Sequence, residues 1–195
     1  MEREAIAVFD IAYAGFGRDF DADLYGVRRA VEMGVLSLIA FSFSKIASLY
    51  EERLGVMVVV LPKGLVEQEK VQQHLGMIAR PTYSNPPATF AKAMGRVLVD
   101  KDLRATWNNE RNEMAQSIRN GGLLLAKELD ELRVEHGAVD KTNGMFALLP
   151  FSPEEVKKLE QEQQVYMLAS GRINKAAVNA ENAKELATRM AAVLA

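Results

Sequence analysis

The chain has 195 residues, 49% of them hydrophobic and 26% charged, with a formal net charge of −2 and a sequence pI near 5.8. That composition supports a globular core of one domain or somewhat more, and the near-balanced charge argues against nucleic acid and anionic membrane as partners. With no cysteine there is no disulfide framework or thiolate metal site, and the imidazoles of His74 and His136 lie far apart in polar sequence, without metal-ligand spacing, and read as surface residues.

No apolar stretch approaches the ~20 residues of a membrane span. The amino terminus, MEREAIAVFD, is acidic and too short in its apolar part for a signal peptide, so a cytoplasmic protein is expected.

Ala5 to Phe9 is apolar without alternation, the pattern of a strand covered on both faces, and it ends in Asp10, followed by Tyr13, Gly15 and Gly17. Asp21 to Met33 reads as a helix with Leu24, Val27, Ala30 and Val31 on one face and Gly34 as its stop. Val35 to Phe41 is a second strand and Val56 to Leu61 a third, so the strand, helix, strand spacing matches a right-handed crossover. Leu65 to Ala79 is an amphipathic helix carrying Val71, Leu75 and Ile78. Arg80 to Pro87 (RPTYSNPP) reads as a rigid polar loop, its backbone fixed by two consecutive prolines and an Asn-Pro step, which excludes it from strand and helix interior.

Ala88 to Val99 is helical, and a long helical segment runs from about Asp102 to Val134 with Trp107, Met114, Ile118, Leu125, Leu129 and Leu132 on one stripe. Gly121-Gly122 marks an interruption and a bend in it. A helix of this length connects two lobes, which divides the chain into 1–105 and 106–195. The second part reads as a small α+β lobe. Asn143 to Leu149 is a strand, and Ser152-Pro153-Glu154-Glu155 has the capping pattern of a helix reaching Gln163. Val165 to Ala169 is a further strand leading into Ser170-Gly171-Arg172-Ile173-Asn174, and Asn179 caps a last helix, Ala180 to Leu194.

Ligands of open α/β sheets sit beyond the carboxyl ends of the strands, where Asp10 and Lys45 fall. An ammonium brought to the end of a buried strand costs several kcal/mol unless it is paired or neutralised. A neutral amine there could form a Schiff base. A carboxylate and a lysine together are what pyridoxal phosphate needs, one for its pyridine nitrogen and one for its aldehyde. Ser42 and Arg53 offer a hydroxyl and a guanidinium suited to a phosphate dianion. Taken alone, the same residues also fit ordinary solvated strand ends.

Phe41 to Gly55 (FSFSKIASLYEERLG) resembles the pyridoxal-lysine signature of class I (fold type I) aminotransferases, in the aspartate and aromatic amino acid branch. Phe9 to Gly17 (FDIAYAGFG), RPTYSNPP, Asn143 to Phe146 (NGMF) and Ala169 to Asn174 (ASGRIN) resemble further segments of that branch, in the same order. The resemblance implies an α/β fold: the carboxyl-terminal part of the large cofactor domain, a long helix, and a small α+β domain. It implies pyridoxal 5'-phosphate as cofactor, and ping-pong transamination between aspartate or an aromatic amino acid and a 2-oxo acid.

By the same resemblance, Lys45 forms the internal aldimine and shuttles the substrate Cα proton. Asp10 pairs with the pyridinium nitrogen, Tyr13 donates to the ring's phenolic oxygen, and Ser42 and Arg53 hold the phosphate. Arg172 clamps the substrate α-carboxylate, and Phe146 lines the substrate pocket. Arg80 reaches the neighbouring subunit's site in a homodimer to bind a dicarboxylate side chain, with Ser84 close by.

The chain departs from the branch at Ile46-Ala47-Ser48, where an Asn-aromatic-Gly run is more usual, and at Glu51, in the place of an asparagine. Family enzymes are about twice as long, and the amino-terminal half with its ring-stacking aromatic residue and phosphate-cupping turn has no counterpart here. The chain is therefore expected to be a fragment or one half of a split protein. The alternative is a non-catalytic or partner-dependent part of an aminotransferase. Decarboxylation or β-elimination fits less well, because Arg80 implies a dicarboxylate.

Overall fold

The computed structural model describes residues 5–194. They form two compact units, one comprising the chain up to Gly15 and Phe20–Glu110, the other Phe16–Asp19 and the chain from Arg111 onward. Among the described residues, no helix is long and apolar enough to cross a membrane.

The first unit is built on a three-stranded sheet. Strand β1 (Ala7–Ile11) runs parallel to the central strand β2 (Ser37–Ser42), and β3 (Gly55–Val60) returns antiparallel on its other side. The β1–β2 crossover is helical, but Leu24 divides it into α1 (Phe20–Asp23) and α2 (Tyr25–Glu32), and Gly34 at φ +69° closes it. Helix α2 packs on the Phe9 face, where a Cβ at Gly26 would touch the Phe9 ring at 3.8 Å. The opposite face is not covered as the apolar run led one to expect. Val8 is 70% exposed and Met57, opposite Ala40, is 52% exposed, because the β1–β2 crossover places its helix on one side of the sheet.

Helix α3 (Gln68–Thr82) contains Arg80 and Pro81, which the sequence reading had assigned to a loop. A proline in the last turn forfeits a single ladder bond while the helix is already ending. The end itself is made by the amides of Tyr83 and Ser84, which both donate to the Ala79 carbonyl (3.0 and 3.2 Å), with Ser84 at φ 61°. Of its apolar residues, Ile78 is 65% exposed.

Helix α4 (Thr89–Val99) precedes α5 (Lys101–Glu131), within which the two units divide. Gly121 and Gly122 do not interrupt α5. They are glycines because other backbone passes so close: a Cβ at Gly121 would stand 2.4 Å from the Lys175 carbonyl oxygen, and one at Gly122 2.9 Å from that of Val139. Ile118, Leu125 and Leu129 of the expected stripe are buried, whereas Met114 and Leu132 are exposed.

In the second unit, β4 (Phe146–Leu148) pairs antiparallel with β5 (Arg172–Asn174), and α6 (Pro153–Gln163) and α7 (Ala183–Ala191) complete the packing. Leu125, Leu129, Val139, Leu149, Leu159, Ala187 and Met190 form its core. The capping box opening α6 is present in full, the Ser152 hydroxyl accepting from the Glu155 amide and the Glu155 carboxylate from the Ser152 amide.

The strand expected at Val165 to Ala169 is absent. That segment is the descending arm of a tight turn in which the Gly171 amide donates to the Leu168 carbonyl (2.8 Å), and the ladder with β4 starts only after it. The Asn179 side chain accepts from the amides of Glu181 and Asn182, so α7 itself begins later, at Ala183. His136 is a further correction: its side chain is only 14% exposed and is paired with Asp130 at 3.2 Å. His74 is exposed.

Candidate active site

The parallel register of β1 and β2 sets Asp10 opposite Ala40, so Asp10 and Ser42 share the carboxyl end of the sheet. Asp10 is exposed there. The chain leaves β2 through a turn in which the Ser44 amide donates to the Ser42 hydroxyl (3.2 Å), the Ala47 amide to the Phe43 carbonyl (3.1 Å) and the Ser48 amide to the Lys45 carbonyl (3.2 Å). Ser44 and Ile46 are both buried. Lys45, between them, is held by its neighbours while its own side chain stays half-exposed.

From α5, the Trp107 indole N–H donates to the Ile46 carbonyl at 2.9 Å, and its ring meets Phe20 at 5.7 Å between centroids. This bond fixes the backbone one residue past Lys45. The Lys45 ammonium lies 4.8 Å from the Tyr50 ring centroid and 5.4 Å from that of Tyr13. Each such contact contributes about 0.5–1 kcal/mol at an exposed site and more when desolvated. Arg53, in the left-handed region at φ 52°, folds back to donate to the Tyr50 carbonyl (3.3 Å), with its guanidinium carbon 5.8 Å from the same ring. Tyr50 is thus flanked by both cations. The strand that follows can start so near because Gly55 has no Cβ, which would stand 2.9 Å from the Phe41 carbonyl oxygen.

In the second unit, Arg172 opens β5 directly after Gly171. At φ +77°, and with a would-be Cβ 2.3 Å from the Leu149 carbonyl oxygen, that position accepts only glycine. Phe146 opens β4 opposite Asn174, which makes Arg172 its diagonal neighbour on the same face. The Arg172 guanidinium carbon lies 4.5 Å from the Phe146 ring centroid. Both residues line a cavity of about 760 Å³ with Met167, Leu186 and Arg189 among its walls. None of Asp10, Tyr13, Ser42, Lys45 and Arg53 lines it. Arg80 and Ser84 are exposed at the end of α3.

The structure therefore places Lys45 near the rings of both Tyr13 and Tyr50, with Arg53 against Tyr50, in the first unit, and Phe146 with Arg172 in the second. Sequence reasoning missed Tyr50, which sits in an aperiodic turn that carries no signal of its own. It also counted Trp107 only as a core residue, since nothing local reveals a hydrogen bond to a distant carbonyl.

The sequence matches the family model described as "Aminotransferase class I and II" over residues 1–190. It is 36% identical over 186 residues to a tyrosine aminotransferase of Rhizobium meliloti, covering 95% of this chain and 48% of the relative. Among solved structures it resembles the psychrophilic aromatic amino acid aminotransferase of Psychrobacter sp. B6, cocrystallised with aspartic acid, at a TM-score of 0.93 and 36% identity, over 98% of this chain and 48% of that one. It also resembles the aromatic amino acid aminotransferase of Burkholderia pseudomallei, covalently bound to pyridoxal phosphate, at a TM-score of 0.89 and 31% identity, over 97% and 48% of the two chains. The chain thus spans about half the length of the relatives it matches. With the family model matched along nearly all of its residues and the α/β fold shared with these enzymes, the chain belongs to the class I and II aminotransferases.

Proposed function

We propose that this chain carries the lysine side of a pyridoxal-phosphate site used in transamination between an amino acid, aspartate or aromatic, and a 2-oxo acid. The observation that carries the reading is the half-buried Lys45 ammonium at the carboxyl end of β2, between the rings of Tyr13 and Tyr50 and with Arg53 on Tyr50 as well.

The donor set fits the cofactor. Asp10, an exposed carboxylate at the end of β1, would face the pyridine nitrogen and Tyr13 the phenolic oxygen. The Ser42 hydroxyl and Arg53 guanidinium would hold the phosphate, and Lys45 Nζ the aldehyde carbon. When bound, the cofactor supplies an electron sink for the charge that develops at the substrate Cα. Lys45 Nζ then takes the Cα proton and returns it, and its backbone is kept in place for this by the Trp107 bond to Ile46. Arg172 binds the α-carboxylate through a planar fork that a lysine could not reproduce. Arg80 takes the side-chain carboxylate of a dicarboxylic substrate bound by a second copy of the chain in a homodimer.

A second reading, a partner-dependent part of a larger assembly, is favoured by the uncovered sheet face at Val8 and Met57. Exchange of the Cα proton of L-aspartate and L-phenylalanine in D2O, with cofactor supplied, tests the first. Exchange should vanish in Lys45→Ala, and Arg80→Leu should slow aspartate far more than phenylalanine. Exchange indifferent to Lys45→Ala would overturn the reading.

A further inference from the structure

Lys175 is 1% exposed in the interior of the second unit. Its Nζ donates to the Thr142 carbonyl (2.7 Å) and to the Thr142 hydroxyl (3.2 Å). Its own amide donates to the Met145 carbonyl at 2.8 Å. One residue therefore grips both ends of the Thr142 to Met145 turn, in which Gly144 adopts φ 86°. The next residue is Phe146, where the β4–β5 ladder begins.

The fold makes room for this grip. A Cβ at Gly122 would stand 2.9 Å from Lys175 Cδ, and one at Gly121 2.4 Å from the Lys175 carbonyl, so α5 has glycine at both positions where Lys175 crosses it. An unbranched apolar side chain would fill the same channel without the cost of burying a charge. Desolvation holds the Lys175 ammonium below its ordinary pKa, and Asp140 offsets this only in part. One Asp140 oxygen is itself buried without a hydrogen-bond partner. What an apolar residue could not do is tie down Thr142.

We propose that Lys175 is a positioning residue for the Arg172–Phe146 pair. By fixing the turn that feeds β4, it sets the ring against which the Arg172 guanidinium rests. The functional weight of this rests on the reading of Arg172 as the substrate-carboxylate clamp: an arginine held in one rotamer before binding gives up less freedom when it closes on a carboxylate.

The test reads geometry rather than turnover. In the folded chain, the Arg172 side-chain proton resonances should be shifted upfield by the Phe146 ring current, as the loss of that shift in Phe146→Leu would establish. Lys175→Met keeps the stem and removes the donors. It should reduce that upfield shift by half or more, while the amide resonances of α6 and α7 hold their positions. A role confined to stability would lower the unfolding midpoint and leave the Arg172 resonances alone, so an undiminished shift in folded Lys175→Met overturns the proposal. Should Lys175→Met not fold, Thr142→Val decides instead: it removes one acceptor of the same ammonium, a reduced shift supports the proposal, and an unchanged shift overturns it. Neither result depends on transamination, so failure here leaves the Lys45 reading intact, and failure of that reading leaves this result standing.

Discussion

The Lys45 ammonium lies 4.8 Å from the centroid of the Tyr50 ring, and the carbonyl of that same tyrosine accepts a hydrogen bond from Arg53 at 3.3 Å. In the turn after β2 both cations thus lie against one aromatic residue. A loop of this kind needs an anchor beyond its own bonds, and Trp107 provides it from α5.

Trp107→Phe should therefore be costly out of proportion to its size. The ring packing on Phe20 largely survives, but the carbonyl of Ile46, itself only 1% exposed, loses its donor. Leaving a buried carbonyl unsatisfied costs about 1–3 kcal/mol. Urea unfolding should show a loss in that range, and a loss well under 1 kcal/mol would mean that the indole N–H contributes little to the turn.

Ser48 occupies the left-handed region at φ 54°, at the position where the resembling branch more often has glycine. A residue with a Cβ pays about 1–2 kcal/mol there. Ser48→Gly should recover about 1 kcal/mol after the greater entropy of the unfolded glycine is subtracted. Chemical denaturation measures it directly, and a destabilised Ser48→Gly would show that the serine side chain holds the turn by a contact of its own.

How much of this was legible in the sequence follows from the range of the forces involved. The strand that ends at Ser42 could be found because it is an apolar run, and the α6 start because Ser152, Pro153 and Glu155 are local partners. Gly121 and Gly122 were misread as a break because the reason for them, the passage of Lys175 and Val139, lies elsewhere in the chain. Val165 to Ala169 had a strand's composition, but the turn at Gly171 gives the ladder to Arg172–Asn174 instead. The loop expected at Arg80 to Pro87 rests on Pro86-Pro87 and the Asn85-Pro86 step, which do not act back on Pro81, and a proline in a final turn removes only one bond. Exposure of Val8 could not be read at all, because an apolar run does not say which of its faces finds a cover.

Lys175 gives the second unit a distinct response to pH. Desolvation lowers its folded-state pKa, with Asp140 opposing, while the unfolded chain titrates near the ordinary value of about 10.4. Below the folded pKa both states carry the proton and the burial cost is fully present. Between the two values the unfolded chain holds more protons, so stability rises with pH and the cost is relieved. The urea midpoint of the natural chain should rise relative to that of Lys175→Met as pH is raised from about 8 to about 10.5, the window ending at the unfolded value. Parallel curves for the two proteins would mean that Lys175 titrates alike in both states.

As proposed, Lys45 is the lysine of this chain that takes pyridoxal phosphate. Borohydride captures imines too short-lived to accumulate, so reduction of the chain mixed with a limiting amount of the cofactor, followed by peptide mass mapping, tests it most directly. The phosphopyridoxyl adduct should be concentrated on Lys45, absent in Lys45→Ala and diminished in Asp10→Asn. An adduct spread over exposed lysines such as Lys63 and Lys92, with Lys45 unmodified, would contradict it.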